Sequence, residues 1–215
     1  MGTRHMHLRE AQPLPGGILA ERILSGWKLI LLTAFFTAGM AFGAVLVKSS
    51  ADHEWLEKLL DLLQEYSLLR STQSLFATIC NSMLANMLYL AGAFAAGLCA
   101  IGLPLLMLLP FIRGLGLGAV FGYLYSAQSL AGVGYCLLIL LPGAILSTAT
   151  LLIGCREGIT MSFDVFTVMN GKKILDHSHS LRLYCVRFGI LLVLLLCASL
   201  ADALFAKAFS GFFHF

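Results

Sequence analysis

Apolar positions in this chain come in long unbroken runs. The first, Leu29 to Val47, is 19 residues long. A bilayer crossing takes ~20 predominantly apolar residues as helix. The runs predict spans at 28–47, 83–103, 114–128, 135–154 and 188–206. The fold class expected is all-α: a polytopic membrane helix bundle of about five spans, with an outer amphipathic helix. The third span is short, reaching only ~17 residues if Phe111 and Ile112 join it, the low end for a full crossing. Pro104 and Pro110 bracket Leu105–Leu109 just before it. The stretch 104–118 therefore reads either as a turn followed by a crossing or as a re-entrant loop. The second is allowed where protein or water covers the backbone. Pro142 lies inside the fourth span and is expected to kink it.

Composition sharpens this. Of 215 residues, 59% are hydrophobic and 12% charged, about half the usual ~25%. Mean hydropathy is +0.89. A disordered chain, a nucleic-acid-binding domain and an ordinary soluble enzyme are excluded. Arg113 is the sole charged residue between Ser71 and Cys155, with 42 charge-free residues on each side. The first run exceeds the 7–15 residues of a signal-peptide core. It reads as a retained span, although Ser49-Ser50-Ala51 resembles a cleavage site.

Lysines and arginines orient such proteins, favouring the cytoplasmic side. With the N-terminus inside and the C-terminus outside, ten of them fall inside and four outside. The expected layout is a cytoplasmic tail (1–27), one transmembrane domain (28–206) and a short outer tail (207–215), in a bacterial cytoplasmic membrane. The outer loop is 48–82. In it Leu56, Leu59, Leu60 and Leu63 recur at helical spacing, and Glu57, Asp61 and Glu65 form an acidic row. That helix either lies on the membrane or the spans, or docks an extracytoplasmic partner. The inner loop 155–187 holds a second amphipathic stretch from Arg156 to Asn170, suited to an anionic leaflet.

Chemistry is sparse. Intramembrane ionisable groups mark ion sites, proton relays and proteolytic centres. Here Asp202 is expected at the interface near Lys207, and Arg113 at a boundary where its side chain snorkels. His53-Glu54 lacks the second histidine of a zinc protease motif. Asp176-His177-Ser178-His179 offers two imidazoles, too few for a structural metal site. No Walker A motif occurs. The six cysteines form no CxxC and read as small buried hydrophobes. No catalytic residue, metal or cofactor is expected, and the partners are membrane lipid and protein, with no nucleic acid.

Small residues stand at helical spacing instead. Gly39 and Gly43 do so in the first span, Gly92 and Ala96 in the second, and Gly114, Gly118 and Gly122 in the third. Such ridges let backbones approach closely. They predict tight packing, within one chain or by self-association.

From Asn86 and Leu90 the chain runs on to Ala100-Ile101-Gly102-Leu103-Pro104-Leu105-Leu106. Phe111-Ile112-Arg113-Gly114, Gly118 and Gly122-Tyr123-Leu124 follow. This resembles the stage II sporulation protein M family, integral membrane proteins of similar length with about five spans. The family's strongest signature is an I-G-L-P-L turn, then a basic-Gly pair and a glycine-rich helix. Here that places the turn at Ile101, Gly102, Leu103 and Pro104, with Arg113 after it. The Gly39–Ala44 pattern and the proline of the fourth span also fit. Leu141-Pro142-Gly143-Ala144 lacks the acidic residue that some relatives carry nearby.

The resemblance implies a role in endospore formation. There, two partner proteins degrade peptidoglycan and drive membrane migration during engulfment, and the membrane protein holds these enzymes without being a hydrolase. The expected function is thus a non-catalytic scaffold that recruits or localises two extracytoplasmic cell-wall hydrolases. The alternative is a permease or channel subunit, with a separate ATPase. The sequence feature that separates them is polarity inside the spans, which is low here and favours the scaffold.

Overall fold

A computed structural model describes residues 15–49, 75–135, 141–170 and 177–209. They form helices α1 (Pro15–Ser49), α2 (Leu75–Leu98), α3 (Leu103–Tyr135), α4 (Leu141–Met169) and α5 (His177–Phe209). The protein is an all-α membrane bundle. The outer amphipathic helix, with Glu57, Asp61 and Glu65, lies outside the described residues.

The helices run past the apolar spans. Backbone amides in hydrocarbon are satisfied inside a helix, and nothing at the membrane edge obliges the helix to stop there. α1 has 35 residues, of which Gly26–Lys48 is the apolar part. α2 begins at Leu75 rather than Met83 and ends at Leu98 rather than Leu103. The stretch from Arg156 to Asn170 is no separate amphipathic helix: α4 runs on through it to Met169. Likewise α5 starts at His177, well ahead of its apolar part at Leu181–Phe205.

The largest departure from the sequence reading lies at 104–118, which is neither a separate turn nor a re-entrant loop. α3 is one helix from Leu103, and its apolar part is Leu103–Tyr123. Pro104 sits in the first turn, where a missing N–H leaves no intrahelical bond unmade. Pro110 lies inside the helix with its side chain fully buried, so packed neighbours surround the site of the lost bond. The reversal comes earlier, at 99–102. The Cys99 N–H donates to the Ala96 carbonyl and the Gly102 N–H to the Cys99 carbonyl, both at 3.1 Å. A Cβ on Gly102 would overlap the Ala96 carbonyl, so this turn requires glycine. Pro142 is the second residue of α4 as described, and the stretch 136–140 ahead of it lies outside the described residues.

Paired contacts set the helix directions. Phe36, Met40 and Ala44 of α1 meet Gly114, Gly118 and Gly122 of α3 in step, so these helices are parallel. Ser82 with Asp202, and Phe94 with Tyr184, make α2 and α5 antiparallel. Leu90 with Gly154, and Cys99 with Ser162, make α2 and α4 parallel. Leu106 with Gly158, and Arg113 with Ser147, make α3 and α4 antiparallel. Direction therefore alternates along the chain: α1, α3 and α5 one way, α2 and α4 the other.

Four described helices, α1, α2, α3 and α5, are long and apolar enough to cross a membrane. The described part of α4 falls short of that, and the expected fourth span includes 136–140, outside the described residues. Packing explains the polarity of α4. It packs against α1, α2, α3 and α5, and its buried residues include Ser147, Thr148, Thr150 and Ser162. A helix shielded by protein on several sides need not be apolar all round. The core beside it is formed by Leu32, Leu90, Leu106, Leu151, Ile159 and Leu191, among others. It is closed by Phe94, Tyr184 and Phe188, whose ring centroids lie 4.6–5.1 Å apart.

Candidate functional site in the polar interior

The polar side chains of α4 begin the site. Hydroxyls in a membrane helix usually bond back to their own helix. Thr150 does so, to the Leu146 carbonyl at 2.9 Å, and Ser147 to the Ala144 carbonyl at 3.2 Å. Ser162 instead reaches the Cys99 carbonyl, in the turn after α2, at 2.8 Å. The Thr148 hydroxyl is buried with no hydrogen-bond partner among the described residues.

Arg113 enters this interior from α3. The sequence reading places it at a membrane boundary. In the structure α3 runs unbroken from Leu103 through Arg113 to Tyr135, so Arg113 stands within a continuous helix and not at a helix end. From there its Nη2 donates to Ser147 Oγ at 3.0 Å. The guanidinium carbon lies 5.4 Å from the Tyr89 ring centroid of α2. A cation over an aromatic face gains ~0.5–2 kcal/mol, most when desolvated.

Asp202 enters from α5. It is only 5% exposed, packed against the neighbouring helices. Ser82 Oγ of α2 donates to its carboxylate at 3.1 Å. Asn86, one turn further along α2 and also buried, donates from Nδ2 to the Ser82 carbonyl at 2.8 Å. Gly143 of α4 lies directly against the Asp202 side chain: any Cβ at 143 would overlap the carboxyl group. Gly143 and Ser147 are one helical turn apart. An acid and a base from different helices thus converge on neighbouring turns of α4. Uncompensated charge in hydrocarbon costs several kcal/mol, so opposite charges in a membrane interior tend to be brought together.

Other polar contacts join α1, α4 and α5 around residues 157 and 187. Lys28 Nζ donates to Thr160 Oγ1 at 3.1 Å and lies 5.7 Å from the Phe163 ring centroid. Arg187 pairs with Glu157. Among the described residues, no three His, Cys, Asp or Glu side chains gather as a metal site would need.

The residues singled out in the sequence fall in distinct places. Gly39, Gly43, Gly114, Gly118 and Gly122 form the α1–α3 contact. At the first four a Cβ would overlap the opposing backbone, and at Gly122 it would lie 3.2 Å from Ala44 Cα. Gly92 is set apart from that contact, with Leu109 side-chain atoms at an ordinary 3.7 Å. Ala96 is buried, and its carbonyl receives the turn. Of the turn residues, Gly102 is buried, Ile101 stands 85% exposed and Pro104 is exposed. What the sequence reading missed is the interior role of Asp202, Ser82, Ser147 and Gly143. Arg113 carried the available signal, as a lone charge deep within a charge-free region.

A helix bundle of this kind, with charged groups inside and apolar helices outside, defines a polytopic membrane protein. The family model described as Stage II sporulation protein M matches residues 32–209, and the chain belongs to that family. Neither a curated protein nor a solved structure matches the chain significantly.

Proposed function

We propose that this sporulation membrane protein is a non-catalytic scaffold that recruits or localises two extracytoplasmic peptidoglycan-degrading partners during engulfment of the forespore. The observation that carries this reading is the family match, which spans all five helices and the turn between α2 and α3. The packing supports it. Glycine-to-backbone contact between α1 and α3 makes a close-fitting frame, as a platform for other proteins needs. In this reading the N-terminus is inside, the C-terminus is outside, and the 48–82 loop faces the partners. Affinity recovery of the tagged protein from crosslinked membranes tests it. Cell-wall hydrolases are the expected companions, and the purified protein alone is expected to leave peptidoglycan intact.

The permease or channel reading is favoured by one structural fact. Low polarity within the spans argues for the scaffold, yet Asp202 is buried, and Arg113, half-buried, donates to the buried Ser147 hydroxyl. Recovery of an ATPase in place of hydrolases would decide for that reading.

A further inference from the structure

Between α2 and α5 the outer surface of the bundle carries an apolar groove of about 220 Å³. Met87, Ala91 and Phe94 line one side, and Phe188, Gly189 and Leu192 the other. The opening exists because residue 189 is glycine: nothing lies within 4 Å of the position a Cβ would take. The walls are preformed. Phe94 stacks on Tyr184 at 5.1 Å and meets Phe188 edge-on at 5.1 Å, while the Tyr184 hydroxyl donates to the Phe94 carbonyl.

The groove lies within the charge-free runs 71–112 and 188–201, which suit hydrocarbon surroundings. Its volume is below the ~300–1,000 Å³ of compact small-molecule pockets and suits one extended chain. A charge marks one end. Arg182 precedes Gly189 by seven residues, which places it on the same helix face, two turns or ~10 Å along the axis. It is exposed, and with Arg187 it precedes the charge-free run 188–201 of α5, on the side where headgroups would begin. Arg187, the next cation along α5, is engaged by Glu157.

We propose that this groove is a binding site for an anionic phospholipid, with one acyl chain between Phe94 and Gly189 and the phosphate at Arg182. Basic residues beside a groove between membrane helices recognise anionic headgroups in this way. Gly189 admits the chain, and Arg182 supplies the headgroup preference.

Native mass spectrometry of the full chain tests it, after delipidation and titration with phosphatidylglycerol or phosphatidylcholine. The unmodified protein should retain phosphatidylglycerol with about a five-fold preference, the worth of one arginine beside a charged leaflet. Gly189→Leu fills open space, so it should keep its melting temperature while losing the bound lipid. Arg182→Gln should still retain lipid but lose the headgroup preference. Equal retention by Gly189→Leu and the unmodified protein would overturn the proposal. So would a lack of preference in the unmodified protein. Dimers of the unmodified protein that Gly189→Leu abolishes would also overturn it, by placing a second copy of the chain in the groove.

Discussion

Gly118 lies against the backbone of Met40, with no room between them for a side chain. The contact is the middle step of the α1–α3 ridge. In lipid, such an approach is stabilised by van der Waals contact, because hydrophobic drive between helices is absent there. Gly118→Leu must push the helices apart, since rigid backbone opposes it. The expected cost is at or beyond the top of the ~1–3 kcal/mol of ordinary overpacking. Gly116→Leu is the control, because nothing lies within 4 Å of a Cβ at Gly116. Thermal unfolding in detergent should show a clear drop for the first variant and little change for the second. Equal melting temperatures would show that the ridge carries no stability.

Arg113 and Asp202 approach α4 one turn apart, at Ser147 and Gly143. Their charges should be coupled. Arg113→Gln and Asp202→Asn are each expected to destabilise the bundle, and the double variant to cost less than the sum of the two. The coupling should fall in the ~0.5–3 kcal/mol range of groups that share a network. Strict additivity in a double-mutant cycle would mean that each charge is compensated independently.

The Thr148 hydroxyl is buried without a partner among the described residues, which ordinarily costs ~1–3 kcal/mol. Valine has nearly the same shape. Thr148→Val should therefore leave the fold intact and raise the melting temperature, by ~2–4 °C for each kcal/mol gained in a chain of this size. A lowered melting temperature would show that the hydroxyl is bonded in the membrane-embedded protein.

The bundle was legible where apolar runs are long and glycines recur, because those features follow from lipid and from backbone approach alone. The ends of the helices were not. Hydropathy marks where apolar character stops, while α4 and α5 continue as helix through polar residues such as Arg156 and His179. The two prolines near 104–110 suggested a break, since sequence alone does not show that Pro104 sits in a first turn. The partners of Asp202 were hidden for a related reason. Ser82 and Gly143 lie against it in the structure but are 120 and 59 residues distant along the chain.

With five crossings and a cytoplasmic N-terminus, ten of 14 basic residues would fall on the inner side. A cysteine placed at His214 should then react with an impermeant maleimide in intact cells. Labelling only after permeabilisation would reverse the assignment of the C-terminus.

The last prediction concerns partner recruitment. Glu57, Asp61 and Glu65 follow one another at every fourth residue in the 48–82 loop, the densest charge expected on the outer side. On a helix that spacing projects all three from one face. Charges at the rim of an interface act mainly on encounter rate and salt dependence. Reversing all three to lysine should therefore lower hydrolase recovery from crosslinked membranes, most strongly at low salt, while membrane insertion stays normal. High salt should narrow the difference, because screening falls to ~3 Å at 1 M. Undiminished recovery from the triple variant would remove the acidic face from the recruitment argument. The family assignment and the bundle would stand, and the partner contact would have to be sought on another outward segment.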